Sequence, residues 1–267
     1  MDRMKNIMKK QIRGLFTNTQ KIMGTGLYMS GYEKEGKYKQ WFNDGKLNVQ
    51  CWYKNGMFDG KYEQWFNNGK LLICCFYKDN KHDGEYKTWG KDGTPMVHCF
   101  FKNDEKDGEY KCWFESGLQK VHCFYKNGIK YGEYKEWNEY GELKKHCFYM
   151  NENFDGEYKE WYDNGQLKNH CFYINGKEDN EYKEWYDDGK LWKHCFYING
   201  KLDGEYKSWH ENYQLFVHCF FKNGKEDGEY KFWSESGKLC KHCFFKNGNE
   251  YTISEAAKLF PEGPWLE

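Results

Sequence analysis

A Tyr, a Trp three residues later and a Cys ten residues after that recur nine times at a fixed spacing of 24 residues. They run from Tyr38, Trp41 and Cys51 to Tyr230, Trp233 and Cys243, without one insertion. A register this strict requires one supersecondary unit stacked on copies of itself, because a unit so short buries its apolar face only against a neighbour. The 267 residues therefore describe one elongated body rather than a row of globular domains. Aromatic residues make up 21% of the chain while Ala occurs only at Ala256 and Ala257, so the apolar content lies in rings, and strands are favoured over helices.

One unit reads Gly156-Glu-Tyr-Lys-Glu-Trp-Tyr162, Asp163-Asn-Gly-Gln166, Leu167-Lys-Asn-His-Cys-Phe-Tyr173, then Asn175-Gly-Lys-Glu-Asp179. Two β-rich runs flank Asn164-Gly165, which predicts a hairpin closed by a type I′ turn, where both central residues take positive φ. The second connector, Asn-Gly-Lys-x-Asp-Gly in its fullest form, returns the chain and continues the hairpins as an antiparallel meander. With Asn164 and Gly165 at the turn centre, Tyr158 pairs with Cys171. Alternation then places Tyr158, Tyr162, Leu167, Cys171 and Tyr173 on one face and Lys159, Trp161, Lys168, His170 and Phe172 on the other. A β-bulge between Tyr and Trp would instead bring both onto one face, and the sequence leaves that open. The fold expected is all-β, an elongated single-layer antiparallel sheet of stacked hairpins with short capping helices at its termini. Its nine units span roughly 85 to 90 Å at about 4.8 Å per strand.

Three regions follow. Residues 1–26 place Met4, Met8, Ile12 and Leu15 at helical spacing among Lys and Arg, an amphipathic cap or, alternatively, a membrane-surface helix. Residues 27–251 form the array, a half unit followed by nine units. Residues 252–267 hold a C-terminal cap helix, with Ser254 as its cap and Pro261 as its stop. No apolar run of signal-peptide or membrane-spanning length occurs, so a reducing cytoplasmic setting is expected.

The unit Gly-Glu-Tyr-Lys-Glu-Trp-Tyr-Asp-Asn-Gly-Gln-Leu resembles the MORN repeat, in particular its second variant, known from bacterial antitoxin-like proteins and from many eukaryotic and giant-virus proteins. The similarity covers about Leu27 to Asn249. It implies an elongated, grooved sheet of hairpins that scaffolds, dimerises or docks to proteins or membranes without catalysis by the repeat. A giant-virus relationship would place the protein in a host cytoplasm or a virion, and an antitoxin relationship would make it a neutraliser of a toxin.

Charge and cysteine usage narrow the functions. Lys plus Arg equals Asp plus Glu at 41 each, which removes the electrostatic signature of a nucleic-acid binder and weakens the case for anionic lipid. His and Cys adjoin seven times, from His98-Cys99 to His242-Cys243, but neighbouring strand residues point to opposite faces and cannot share a metal or form a nucleophile and base. Equivalent cysteines about 10 Å apart exceed the roughly 7 Å Cα limit for a disulfide, so the Cys row reads as small apolar filling under Tyr. A His row flanked by Lys159-type and Glu157-type rows could alternatively bind an acidic partner below about pH 6.5. Neither zinc-ribbon nor EF-hand spacing occurs, so no metal, cofactor or small-molecule substrate is expected. The breaks in the pattern, Pro95, Asn180, Tyr213, Asn80 and Asp104, read as drift at turns and strand ends, and no unit carries a catalytic set of its own.

What remains is an exposed row of rings, Trp113, Trp137, Trp161, Trp185 and Trp209 with Phe148, Phe172 and Phe196. It is the expected surface for a protein partner or a second copy of the chain.

Overall fold

The computed structural model describes residues 34–261. The amphipathic segment expected over residues 1–26 lies outside these, and with it the membrane reading that rested on it. Twenty-one strands form one open sheet, from Gly36–Trp41 to Asn249–Tyr251. Apart from two strands that are each split in two, strands consecutive in sequence pair antiparallel, so the sheet is a single-layer meander. Met57–Phe58 and Gly60–Trp65 are one strand interrupted at Asp59, as are Lys177–Glu178 and Asn180–Trp185 at Asp179.

The two connectors differ from the expected turn chemistry. At Asp163-Asn164-Gly165 only Gly165 takes positive φ, at 80°, and its amide donates to Tyr162 O at 3.0 Å. This is a type I turn followed by a left-handed Gly, not the type I′ turn expected there. The type I′ conformation sits instead at the second connector, where Asn175 and Gly176 have φ of 51° and 78° and Ile174 pairs with Lys177.

A bulge also changes the register near the first turn. Tyr158 pairs with Cys171 and Glu160 with Asn169 as expected, but Trp161 pairs with Leu167, leaving Lys168 as the extra residue. Leu167 therefore shares the face of Trp161, and Lys168 turns to the other side, its Nζ 3.3 Å from Glu160. Both are the reverse of the expected assignment. Tyr158 and Trp161 stay on opposite faces, because Gly156–Trp161 pairs with the following strand without interruption up to that point.

A second bulge falls at Asp155-Gly156-Glu157, which together face Phe148 of the preceding strand. Gly156 suits this place because its φ is 113°, a conformation L side chains rarely adopt, and at the equivalent position of the next unit Asn180 takes a φ of 70° instead. Asp155 caps the next connector by accepting from the Asn175 amide at 2.9 Å, an arrangement repeated by Asp107, Asp179 and Asp203.

The core is one-sided. Nine cysteines, from Cys51 to Cys243, are buried under Tyr and Phe rings, and Cys147 has no exposed surface. Tyr134, Tyr149, Phe154, Tyr158 and Tyr173 run as a chain of ring contacts with centroids 4.9 to 5.6 Å apart. Where the Phe154 position holds Lys106, its ammonium replaces the ring, 4.1 Å from Tyr110 and 4.8 Å from Tyr125.

At the C-terminal end Tyr251 and Thr252 stand 24 residues after Asp227 and Gly228, so the Asp-Gly bulge is lost and the chain leaves the sheet as helix α1, Ile253–Leu259. Thr252, not Ser254, is the cap. Its side chain accepts from the Glu255 amide while Glu255 accepts from the Thr252 amide at 2.8 Å. Pro261 follows the helix as expected.

Candidate functional site

The face opposite the Tyr-Cys core carries Trp161, Phe172, His170, Glu157 and Lys159 in each unit. Adjacent strands place these side by side because Glu157 pairs with Phe172 and Lys159 with His170. Glu157 Oε1 accepts from Lys159 Nζ at 2.7 Å and lies 3.0 Å from His170 Nε2, and the His170 ring lies 5.4 Å from that of Phe172. The same triad occurs at Glu85, Glu109, Glu133, Glu181, Glu205 and Glu229. The Lys159 ammonium holds the Glu157 carboxyl below the usual carboxylate range, with His170 adding to the effect and burial opposing it. With His neutral each triad has no net charge.

Toward the N-terminus the pattern changes. Gln50 and Cys74 stand where later units have His, and Lys61 and Glu63 exchange places relative to Glu157 and Lys159. Glu63 then accepts from Gln50 Nε2 across the strand pair at 3.1 Å.

The eight rings expected to form the binding row, Trp113, Trp137, Trp161, Trp185, Trp209, Phe148, Phe172 and Phe196, are half-buried rather than exposed. Each Trp lies at the bulge beside the residue it pairs with, and each of the three Phe rings is packed on the His of its own strand. The exposed large apolar side chains include Tyr140, Met150, Ile174 and Ile198 at the turns, and, in the Phe172 row itself, Trp52 and Phe76 of the first two units.

His170 and Cys171 do face opposite ways. Cys171 pairs with Tyr158 in the core, and burial pushes its thiol up to about 12. All twelve cysteines are free, and among the described residues no cluster of three or more His, Cys, Asp or Glu is placed to hold a metal ion. A concavity in the first units of the array, lined by Glu35, Trp52, Asp59 and Lys61, is an open depression.

Several breaks in the pattern do more than drift. Asn80 and Asp104, which replace Gly, take φ of 62° and 67°, and their side chains accept the Phe58 and His82 amides of the preceding unit at 2.6 and 2.7 Å. Tyr213 adopts φ of 68°, hydrogen-bonds Asp188 and packs its ring under Lys190. Pro95 opens its strand, where no ladder amide is needed.

A further break on the Tyr-Cys face escaped the reading of the sequence. Gln40, Gln64, Thr88, Cys112, Glu136, Glu160, Glu184 and Ser208 form one column and Val49, Ile73, Val97, Val121, Lys145, Asn169, Lys193 and Val217 its partner, so both columns are polar together only over three central units. Tyr134 and Tyr158 donate to Glu136 and Glu160 at 2.8 and 3.1 Å, and Asn169 Nδ2 lies 2.9 Å from the Tyr182 hydroxyl. Aligning the units column by column would have found this strip.

Five segments, residues 34–55, 58–79, 154–175, 178–199 and 226–247, match the family described as MORN repeat variant. The chain is a MORN repeat protein. The five matches fall in the first, central and last parts of an uninterrupted 24-residue register, and the intervening units of this MORN protein share the same strands, bulges and triads. No curated protein matches the chain. Similar solved structures include the crystal structure of TcdB2-TccC3-Cdc42, 8% identical with a TM-score of 0.18, covering 79% of this chain and 13% of that one. Another is the crystal structure of TcdB2-TccC3, 9% identical with a TM-score of 0.17, covering 88% and 17%. The MORN chain spans less than a fifth of either, and at these scores neither informs its architecture.

Proposed function

We propose that this MORN protein is a non-enzymatic scaffold that binds proteins along its Trp-Phe-His face, with a protein partner or a second copy of the chain as its ligand. The observation carrying this reading is the repetition of one half-buried aromatic strip, unit after unit, on the uncored side of a single-layer sheet. A surface of this kind gains affinity from apolar area summed over units, while the Glu-Lys-His triads beside it set register. Net charge is balanced, so neither nucleic acid nor anionic lipid supplies a comparable attraction.

The test replaces Trp137, Trp161 and Trp185 together with Ser and compares partner capture and self-association with the parent, β-sheet dichroism serving as the folding control. Loss of capture with the sheet signal retained is the expected result. Unchanged capture and unchanged self-association would sink the proposal.

A further inference from the structure

The last repeat shows what the Trp-Phe-His face accepts. Helix α1 leaves the edge strand and seats Phe260 against Phe244, ring centroids 5.9 Å apart, and against Tyr251 at 5.7 Å. Phe244 is the counterpart of Phe172, since it pairs with Glu229 as Phe172 pairs with Glu157. It is 6% exposed, whereas Phe148, Phe172, Phe196 and Phe220 stay only half-buried. The helix turns one stripe inward: Ile253, Ala256, Ala257 and Phe260, at i, i+3, i+4 and i+7, are its less exposed positions, and Ala256 is completely buried. Small residues bring the helix backbone near the sheet, and one aromatic side chain meets the repeated Phe.

That seat recurs. Phe100, Phe124, Phe148, Phe172, Phe196 and Phe220 stand at the same place in successive units, beside His98 to His218 at the same ring spacing of 5.1 to 5.4 Å. We infer that the partner laid on the interior units is an amphipathic α-helix whose contact stripe combines small residues with one aromatic, continuing the interface that α1 occupies at the terminus. This rests on the functional reading above and specifies the ligand it leaves general. A helix suits the face because interior strands already pair on both sides, leaving an extended peptide no ladder to join, whereas a helix satisfies its own backbone. The triads carry both signs in balance, so polar residues of either sign are accommodated along the helix flanks.

The probe is a lactam-bridged, fluorescein-labelled peptide of residues 251–261 titrated with the full chain. Saturable anisotropy is expected, weakened at least tenfold by the combined change Phe148→Ala, Phe172→Ala and Phe196→Ala. A peptide carrying Phe260→Ser should be weakened likewise on the unaltered chain, a comparison that needs no folded variant. No saturation up to 1 mM peptide, equal binding of the Phe260→Ser peptide, or full binding by a folded triple variant, which would confine the probe to the terminal unit, would each overturn the inference. If the peptide fails while capture still depends on Trp137, Trp161 and Trp185, only the helical nature of the ligand is lost. If both fail, the functional reading goes with it.

Discussion

At the residue scale the repeat is governed by positions that must hold a left-handed or otherwise positive φ. Gly165 and Gly228 both do so, at 80° and 140°, but their surroundings differ. A Cβ at Gly165 would meet nothing within 4 Å, while one at Gly228 would fall 2.8 Å from Phe220 Cβ, an atom fixed close to the backbone. Gly165→Ala should therefore cost about 1 to 2 kcal/mol, the ordinary penalty for an L-residue in this region. Gly228→Ala should cost at least about 1 kcal/mol more, because overlap is added to strain. Urea midpoints of the two variants measure the difference, and equal midpoints would contradict it. Asn80, Asp104 and Tyr213 reach the same backbone region without Gly, each with a polar contact to an adjoining unit that accompanies the strain.

At the scale of the element, seven successive hairpins are joined across their strands by a triad such as Glu157, Lys159 and His170. The folded carboxyl of Glu157 lies below its ordinary value, chiefly through the Lys159 ammonium, so its contribution to stability is present above the unfolded value near 4.5 and is lost as pH falls through the folded one. About a third of the Glu157 side chain is exposed, which limits the effect to roughly 0.5 to 1 kcal/mol. Glu157→Gln should thus be less stable than the parent at pH 7, and the gap should close between about pH 5 and pH 3. A gap that is constant over that range would show the carboxylate charge to be irrelevant. The triad's residue types were visible as rows in the sequence, but their convergence on one carboxylate oxygen was not. That depends on the strand register, which sets Lys159 opposite His170.

At the scale of the whole molecule, a single sheet with a one-sided core concentrates its burial in a file of thiols and phenols. Burial pushes Cys51, Cys123, Cys147 and Cys195 up to about 11 and Cys75, Cys99, Cys171 and Cys219 up to about 12. Each folded thiol titrates above its unfolded value of 9.0, so their contribution is fully present below pH 9 and is lost as pH rises toward 11 to 12. One pKa unit corresponds to about 1.4 kcal/mol. Ionisation of these thiols in the unfolded chain therefore draws the equilibrium away from the sheet as pH rises above 9. Cooperative loss of sheet dichroism between about pH 9 and 11 is expected, accompanied by alkylation of thiols that resist it at pH 7. Exposed Cys240 should react at once. A sheet that survives pH 12 with its buried thiols alkylated would refute this account.

The 24-residue period by itself determined the hairpin unit, the meander, the Tyr-to-Cys pairing and the burial of the Cys row, because strand alternation and repeat stacking are local rules that need only spacing. It also separated His170 from Cys171, since adjacent residues on one strand cannot share a face. The tertiary structure alone decided which Asn-Gly pair forms the type I′ turn and where the two bulges fall, and thereby moved Leu167 to the Trp face and Lys168 away from it. It also decided that the Trp and Phe rings are half-buried and that α1 sits on Phe244. These outcomes depend on how the twist of one strand meets its neighbour and on which side chains compete for the same space, and that competition exists only once the units are stacked.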